Sequence, residues 1–170
     1  MRKIGTILGL LAGFTATNVW AQGKPVCSLL TAGEVGALGA IGQGIETAMP
    51  IGGGPSKGDT MKMCNWRMPT GGLHLSVAQA PQGVSREAFM AKMNGTYATL
   101  KSQGWTQEDK QFGGVFCSLL TPPPGEKDSP ATTGCYTGAK GMVVSIATLG
   151  RTRVPMEKVK ALVDSAAGRL

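Results

Sequence analysis

Cys27, Cys64, Cys117 and Cys135 are the only cysteines of this 170-residue chain, and they follow a leader built for export. Met1-Arg2-Lys3 is a basic start, and Ile4 to Phe14 is an apolar stretch too short to span a bilayer. Val19-Trp20-Ala21 then offers a small-residue cleavage site before Gln22. The reading is a cleaved signal peptide over 1–21 and a mature chain from Gln22, released into an oxidising compartment, periplasmic or secreted. There an even number of cysteines is a disulfide framework, and two bridges restrict the available folds more than any other feature of the chain.

Removing residues 1–21 leaves 149, a size that supports one hydrophobic core, so 22–170 is read as a single disulfide-stapled domain. Arg2 and Lys3 leave with the leader, which takes the formal charge from +7 to +5. The remaining Lys and Arg are scattered, and two Tyr, three Trp and four Phe provide little to stack on bases, which argues against nucleic-acid binding. A basic exported domain meets anionic envelope components or another protein more naturally. Lipid anchoring needs a Cys at the cleavage point, whereas Cys27 lies behind Gly23-Lys24-Pro25-Val26 with no small apolar box. No later segment reaches about 18 continuous apolar residues. The chain is therefore read as soluble, with no membrane span.

Leu30-Thr31-Ala32-Gly33-Glu34-Val35 has the pattern of a capping box, with Leu30 and Val35 at the staple positions, and predicts a helix from Ala32 to Ala40. Gly42 to Thr60, rich in Gly and holding Pro50 and Pro55, reads as a long loop. Met61 to Met68 and Gly72 to Ala80, split by Pro69-Thr70-Gly71, read as a β-hairpin. Ser85 then offers an N-cap, and Phe89, Met93, Tyr97 and Leu100 recur at helical spacing up to Gly104. Phe112 to Thr121, Thr132 to Gly138 and Gly141 to Leu149 read as three more strands, with Pro122 to Pro130 as an exposed loop. Pro155 suits N1 of a last helix whose apolar stripe is Met156, Val159, Leu162, Val163 and Ala166. The expected fold is α+β, an antiparallel sheet of about five strands covered by helices in the order α-β-β-α-β-β-β-α. No solenoid repeat is present, although the two helix-then-strands units are compatible with a duplicated half-domain.

Four cysteines allow three pairings. Cys117 and Cys135 lie in successive strands across one loop, which favours Cys117 to Cys135 and leaves Cys27 to Cys64. No Cys-x-x-Cys and no close-spaced ligand pairs are present, so neither a redox pair nor a zinc site is indicated.

His74 alone titrates near neutrality without a large shift. On its strand it alternates with Leu73 and Leu75, and no nucleophile elbow or metalloprotease helix accompanies it. Glu108-Asp109, beside Lys110, reads as a solvated turn. Gly52-Gly53-Gly54-Pro55-Ser56-Lys57-Gly58 lacks the Gly-Lys-Ser/Thr ending of a phosphate loop. Met61 and Met63, with His74 nearby, form the one grouping suited to a soft metal such as Cu(I). Met68 falls on the opposite strand face. Lys140, Arg151, Arg153, Lys158 and Lys160 gather around the last strand and the start of the last helix, a candidate patch for an anion or a partner.

Cys27-Ser28-Leu29-Leu30-Thr31 with Glu34-Val35, and the later Cys64-Asn65-Trp66, resemble a family of small exported bacterial domains of unknown function, best represented among actinobacterial lipoproteins. Those domains start Cys-x-Leu-Leu-Thr and later carry Cys-x-Trp; this chain departs from them in lacking the lipid-anchored Cys. The resemblance implies a disulfide from the first helix to the first strand and an α+β sandwich, and no activity. The functional expectation is a non-enzymatic binding or accessory protein without cofactor, acting on a protein or envelope partner and possible as an inhibitor or immunity-type protein. The best contact candidates are the two loops, Gly42 to Thr60 and Pro122 to Pro130. The alternatives are copper binding through Met61 and Met63, and a small hydrolase using His74.

Overall fold

A computed structural model of the chain describes residues 24–51, 60–80, 98–126 and 129–170. The expected signal peptide, the phosphate-loop-like stretch 52–59 and most of the helix expected between Ser85 and Gly104 lie outside the described residues; residues 98–102 are helical.

A 3-10 turn, Val26–Leu29, leads into a short helix α1, Ala32–Gly36. The capping box is present: the Glu34 amide donates to Thr31 Oγ1 at 3.3 Å, and the Thr31 amide donates to Glu34 Oε2 at 2.7 Å. Both staple residues, Leu30 and Val35, are buried. The helix stops four residues before Ala40, and Gly39 follows at φ +88°, a left-handed conformation that glycine adopts without a Cβ penalty.

Among the described residues seven strands follow: β1 Ile41–Pro50, β2 Thr60–Met68, β3 Gly71–Gln79, β4 Thr106–Phe112, β5 Val115–Thr121, β6 Ala131–Ala139 and β7 Met142–Gly150. They form one sheet in the order β1-β2-β3-β7-β6-β5-β4, with every neighbouring pair antiparallel. The last element is α2, Met156–Arg169.

The expectation of about five strands in an α+β arrangement is thus corrected to a seven-stranded antiparallel sheet with short helices. Two strands account for the difference. β1 lies where glycines and prolines suggested a loop. Its Gly44 serves close packing rather than flexibility, since a Cβ there would stand 2.3 Å from Cys64 Sγ and 2.7 Å from the Trp66 ring. The strand is irregular beside it, with a register shift between Ile41 and Ile45. β4 is Thr-Gln-Glu-Asp-Lys-Gln-Phe, an edge strand whose polar residues face water on both sides, so no apolar alternation marks it. A turn at Gly113, φ +60°, separates it from β5, where one continuous strand from Phe112 was expected. The expected hairpin over 61–80 is β2 and β3, paired from Lys62–Val77 to Met68–Gly71.

Alternation along the strands gives the sheet two faces. The inner face carries Leu73, Leu75 and Val77 of β3 and Val144 and Ile146 of β7, all fully buried. Val159, Val163 and Ala166 of α2 are equally buried, and α2 packs on β5, β6 and β7. Burial of such aliphatic side chains contributes about 1.5–3 kcal/mol each. The 3-10 turn covers the same face over β2 and β3. Pro155 stands at the N-cap of α2 rather than at N1, and no side chain caps the helix. The expected stripe of Met156, Val159, Leu162, Val163 and Ala166 is its buried side.

The two disulfides join Cys27 to Cys64 and Cys117 to Cys135, the pairing favoured by the sequence. The first fastens the 3-10 turn to β2; the second crosslinks directly paired residues of β5 and β6 beneath α2. All four cysteines are consumed by these bonds. Two structural disulfides of this kind mark a domain that folds in an oxidising compartment. Among the described residues no helix is long and apolar enough to cross a membrane.

Candidate functional site

The cleft nearest to a built site lies on the inner face between the β4–β5 edge and the start of α2. Antiparallel register aligns Glu108 with Leu119 and Lys110 with Cys117, so Glu108 and Lys110 share the face on which α2 packs. The segment after β7 is held over them: Thr133 Oγ1 donates to Val154 O at 2.7 Å, and Val154 is buried. Between them is a cavity of about 220 Å³ with Leu119, Val154 and Met156 as apolar lining and Glu108, Lys110, Arg153 and Glu157 as charged lining. Lys110 Nζ donates to Glu157 Oε1 at 2.8 Å and lies 4.6 Å from the Phe112 ring centre, tying β4 to the first turn of α2. That bond holds the Glu157 carboxyl below its ordinary pKa. Among the described residues neither Glu108 nor Arg153 has an ion-pair partner. The cleft therefore offers one acidic and one basic group beside an apolar lining.

Of the basic residues expected to form one patch, Lys140 is set apart from Arg151 and Arg153 by the length of β7. Lys140 sits in the β6–β7 turn at φ 50°, whereas Arg151 and Arg153 follow the far end of β7. Nine strand residues set them about 30 Å apart. Lys160 is ion-paired with Asp164 along α2, and Lys158 is exposed on the same helix. Of the five, Arg153 alone lines the cleft. Glu108 and Lys110 escape the sequence reading because a charged run resembles a solvated turn until its pairing with β5 is known.

His74 lies on the outer face, half-buried, directly opposite Asn65. Its Nδ1 is 2.7 Å from Asn65 Oδ1, while Asn65 Nδ2 donates to Thr47 Oγ1 at 3.2 Å. Because the amide nitrogen is spent on Thr47, the amide oxygen accepts, and the network assigns the proton to Nδ1 of His74. Burial lowers the His74 pKa from its ordinary value, which favours the same neutral ring.

Met61, Met63 and His74 share the outer face, and the His74 ring is directed along its strand toward Gly72. Its Nε2 lies 2.8 Å from where a Cβ on Gly72 would stand, whereas Met63 is opposite Ser76 and Met61 is further along. A general base must lie within hydrogen-bond reach of the proton it abstracts. Here the nitrogen left to act lies over Gly72, whose neighbours in register are Arg67 and Leu149 rather than a hydroxyl or thiol.

No protein-family model matches the chain, and no curated protein matches it. Among solved structures, the extracellular domain of PknH from Mycobacterium tuberculosis is similar in fold, with a TM-score of 0.54 at 14% identity. The match covers 83% of this chain and 92% of that domain. At this identity the likeness concerns the fold alone.

Proposed function

We propose that the protein is a soluble, exported, non-enzymatic binding domain, an accessory or inhibitory protein that takes a segment of a partner protein into the cleft between β4, β5 and α2. The observation that carries this reading is the pairing of unmatched charges, Glu108 and Arg153, beside the apolar lining formed by Leu119, Val154 and Met156. A volume of about 220 Å³ is below the roughly 300–1,000 Å³ of pockets that enclose whole small ligands. It suits one or two side chains of a partner whose body stays outside. Opposite charges in one cleft select a segment that presents both signs, and their desolvation against apolar walls gives specificity. The frame around the cleft is rigid, with a disulfide between β5 and β6 below it and the Lys110–Glu157 pair at its mouth.

Site-specific photo-crosslinking from an analogue placed at Leu119, performed in the envelope fraction of the native host, tests the reading. A discrete protein adduct that Arg153→Glu abolishes and Lys140→Glu leaves intact is the expected result. An adduct indifferent to Arg153→Glu and to Glu108→Arg would refute it.

A further inference from the structure

The two edges of the sheet are built differently. β4 presents Gln107, Glu108, Asp109, Lys110 and Gln111 in an unbroken polar row, the charge pattern that prevents another strand from adding to an edge. β1 carries a single charge in ten residues, Glu46, and exposes Ile41, Ile45 and Met49 at 57%, 66% and 48%. These three lie on the outer face, opposite Arg67, Asn65 and Met61 in register. Large apolar residues on an edge with a single charge invite strand addition.

We propose that β1 is a self-association edge, pairing antiparallel with β1 of a second copy of this chain about a two-fold axis at Thr47. A two-fold contact must be self-complementary, and the sequence around Thr47 is. In this register Ile45 of each copy faces Met49 of the other on the outer face, with the two Thr47 side chains between them. Glu46 lies on the inner face and meets Ala48 of the second copy, so the two carboxylates do not oppose each other. Ala48 is itself paired with Lys62. Each Glu46, whose Oε2 accepts from the Cys27 amide at 3.4 Å, therefore shares a cross-strand row with Lys62 of the second copy two strands away, and symmetry repeats these opposite signs.

The two registers toward the start of β1 are worse. An axis at Glu46 places the two carboxylates against each other, and an axis at Ile45 draws the irregular stretch between Ile41 and Ile45 into the pairing. A five-residue strand contact is small beside the roughly 1,600 Å² of a standard interface, so the association is weak and concentration-dependent. It uses the edge opposite the β4–β5 cleft and does not depend on the cleft's function.

Sedimentation velocity of the disulfide-intact protein, from micromolar to sub-millimolar concentration, tests the proposal. Wild type is expected to shift from monomer to dimer over this range. Ile45→Lys, at an exposed position, is expected to raise the dimer dissociation constant at least tenfold with the near-ultraviolet circular dichroism unchanged. I45K/M49E is expected to recover most of that loss, because the new charges face each other across the axis, and its dimer is expected to weaken as salt is raised. A wild type that stays monomeric throughout, an Ile45→Lys protein that dimerises as tightly as wild type, or an I45K/M49E protein no tighter than Ile45→Lys would each overturn it.

Discussion

Arg169, one residue from the end of the chain, grips Glu34 of α1 with both arms of its guanidinium: Nη1 donates to Oε2 at 2.7 Å and Nη2 to Oε1 at 2.9 Å. Nη1 also donates to Leu29 O at 2.8 Å. Glu34 is at the same time the carboxylate of the α1 capping box, so one side chain both starts the first helix and docks the last. Bidentate guanidinium–carboxylate geometry is the strong form of the ion pair.

The pair makes stability depend on acid. The Arg169 guanidinium, with bonds from Thr31, holds the Glu34 pKa at about 2 against an ordinary 4.5. Since the folded value is the lower one, its contribution is complete above the ordinary pKa and fades as pH falls from 4.5 towards 2. Glu34→Gln keeps a capping-box side chain and removes the charge. Urea unfolding at neutral pH should show a loss of about 1–2 kcal/mol for this variant, and the gap from wild type should close as the acid limit is approached.

Each disulfide closes a loop of known length, 37 residues for Cys27–Cys64 and 18 for Cys117–Cys135. Loop-closure entropy assigns about 4 kcal/mol to the first and about 3 kcal/mol to the second. Replacing each pair with alanines and measuring the shift in urea midpoint at constant slope checks both values and their order.

Gly44 has no room for a side chain between β1, the Cys64 sulfur and the Trp66 ring. Gly44→Val should push β1 away from β2 and cost about 1–3 kcal/mol. Amide exchange should quicken in residues 45–49 ahead of the rest of the sheet.

The neutral ring of His74 should be visible directly. Nitrogen-detected imidazole spectra should show the Nδ1–H tautomer, with a midpoint below the ordinary 6.5 because burial disfavours the charged form. With the folded pKa lowered, the neutral ring favours folding above 6.5 and that contribution declines as pH drops below it. Asn65→Leu should remove the tautomer preference while leaving the β2–β3 pairing intact. An Nε2–H ring in the wild type would refute the assigned network.

The parts of the fold that were legible in the sequence are those written by local rules. Thr31 and Glu34 announce a capping box, and the stripe from Met156 to Ala166 has the period of a helix on a flat surface. Cys117 and Cys135 fall in adjacent strands, so their pairing follows from strand order. β1 and β4 were not legible because an edge strand needs only one neighbour, and its composition answers to solvent on the other side. Gly44 looks like flexibility until the Trp66 ring it accommodates is seen, and Glu108-Asp109-Lys110 looks like a turn until β5 lies beside it. The cleft inherits this limit, since two of its charged residues come from β4. Lys140 was grouped with Arg151 for a different reason: the two are close in sequence but held a strand length apart by β7.

The central pairing of the sheet has a consequence for how the protein is made. β3 and β7 meet over nine residue pairs, from Gly71–Gly150 to Gln79–Met142, and neither disulfide crosses that seam. Residues 27–79 and 106–150 can each be stapled within themselves, yet the sheet that joins them cannot form until the seventh strand has emerged. Contacts of such long sequence separation form slowly. The seam between β3 and β7 is where assembly of the sheet waits for the final strand.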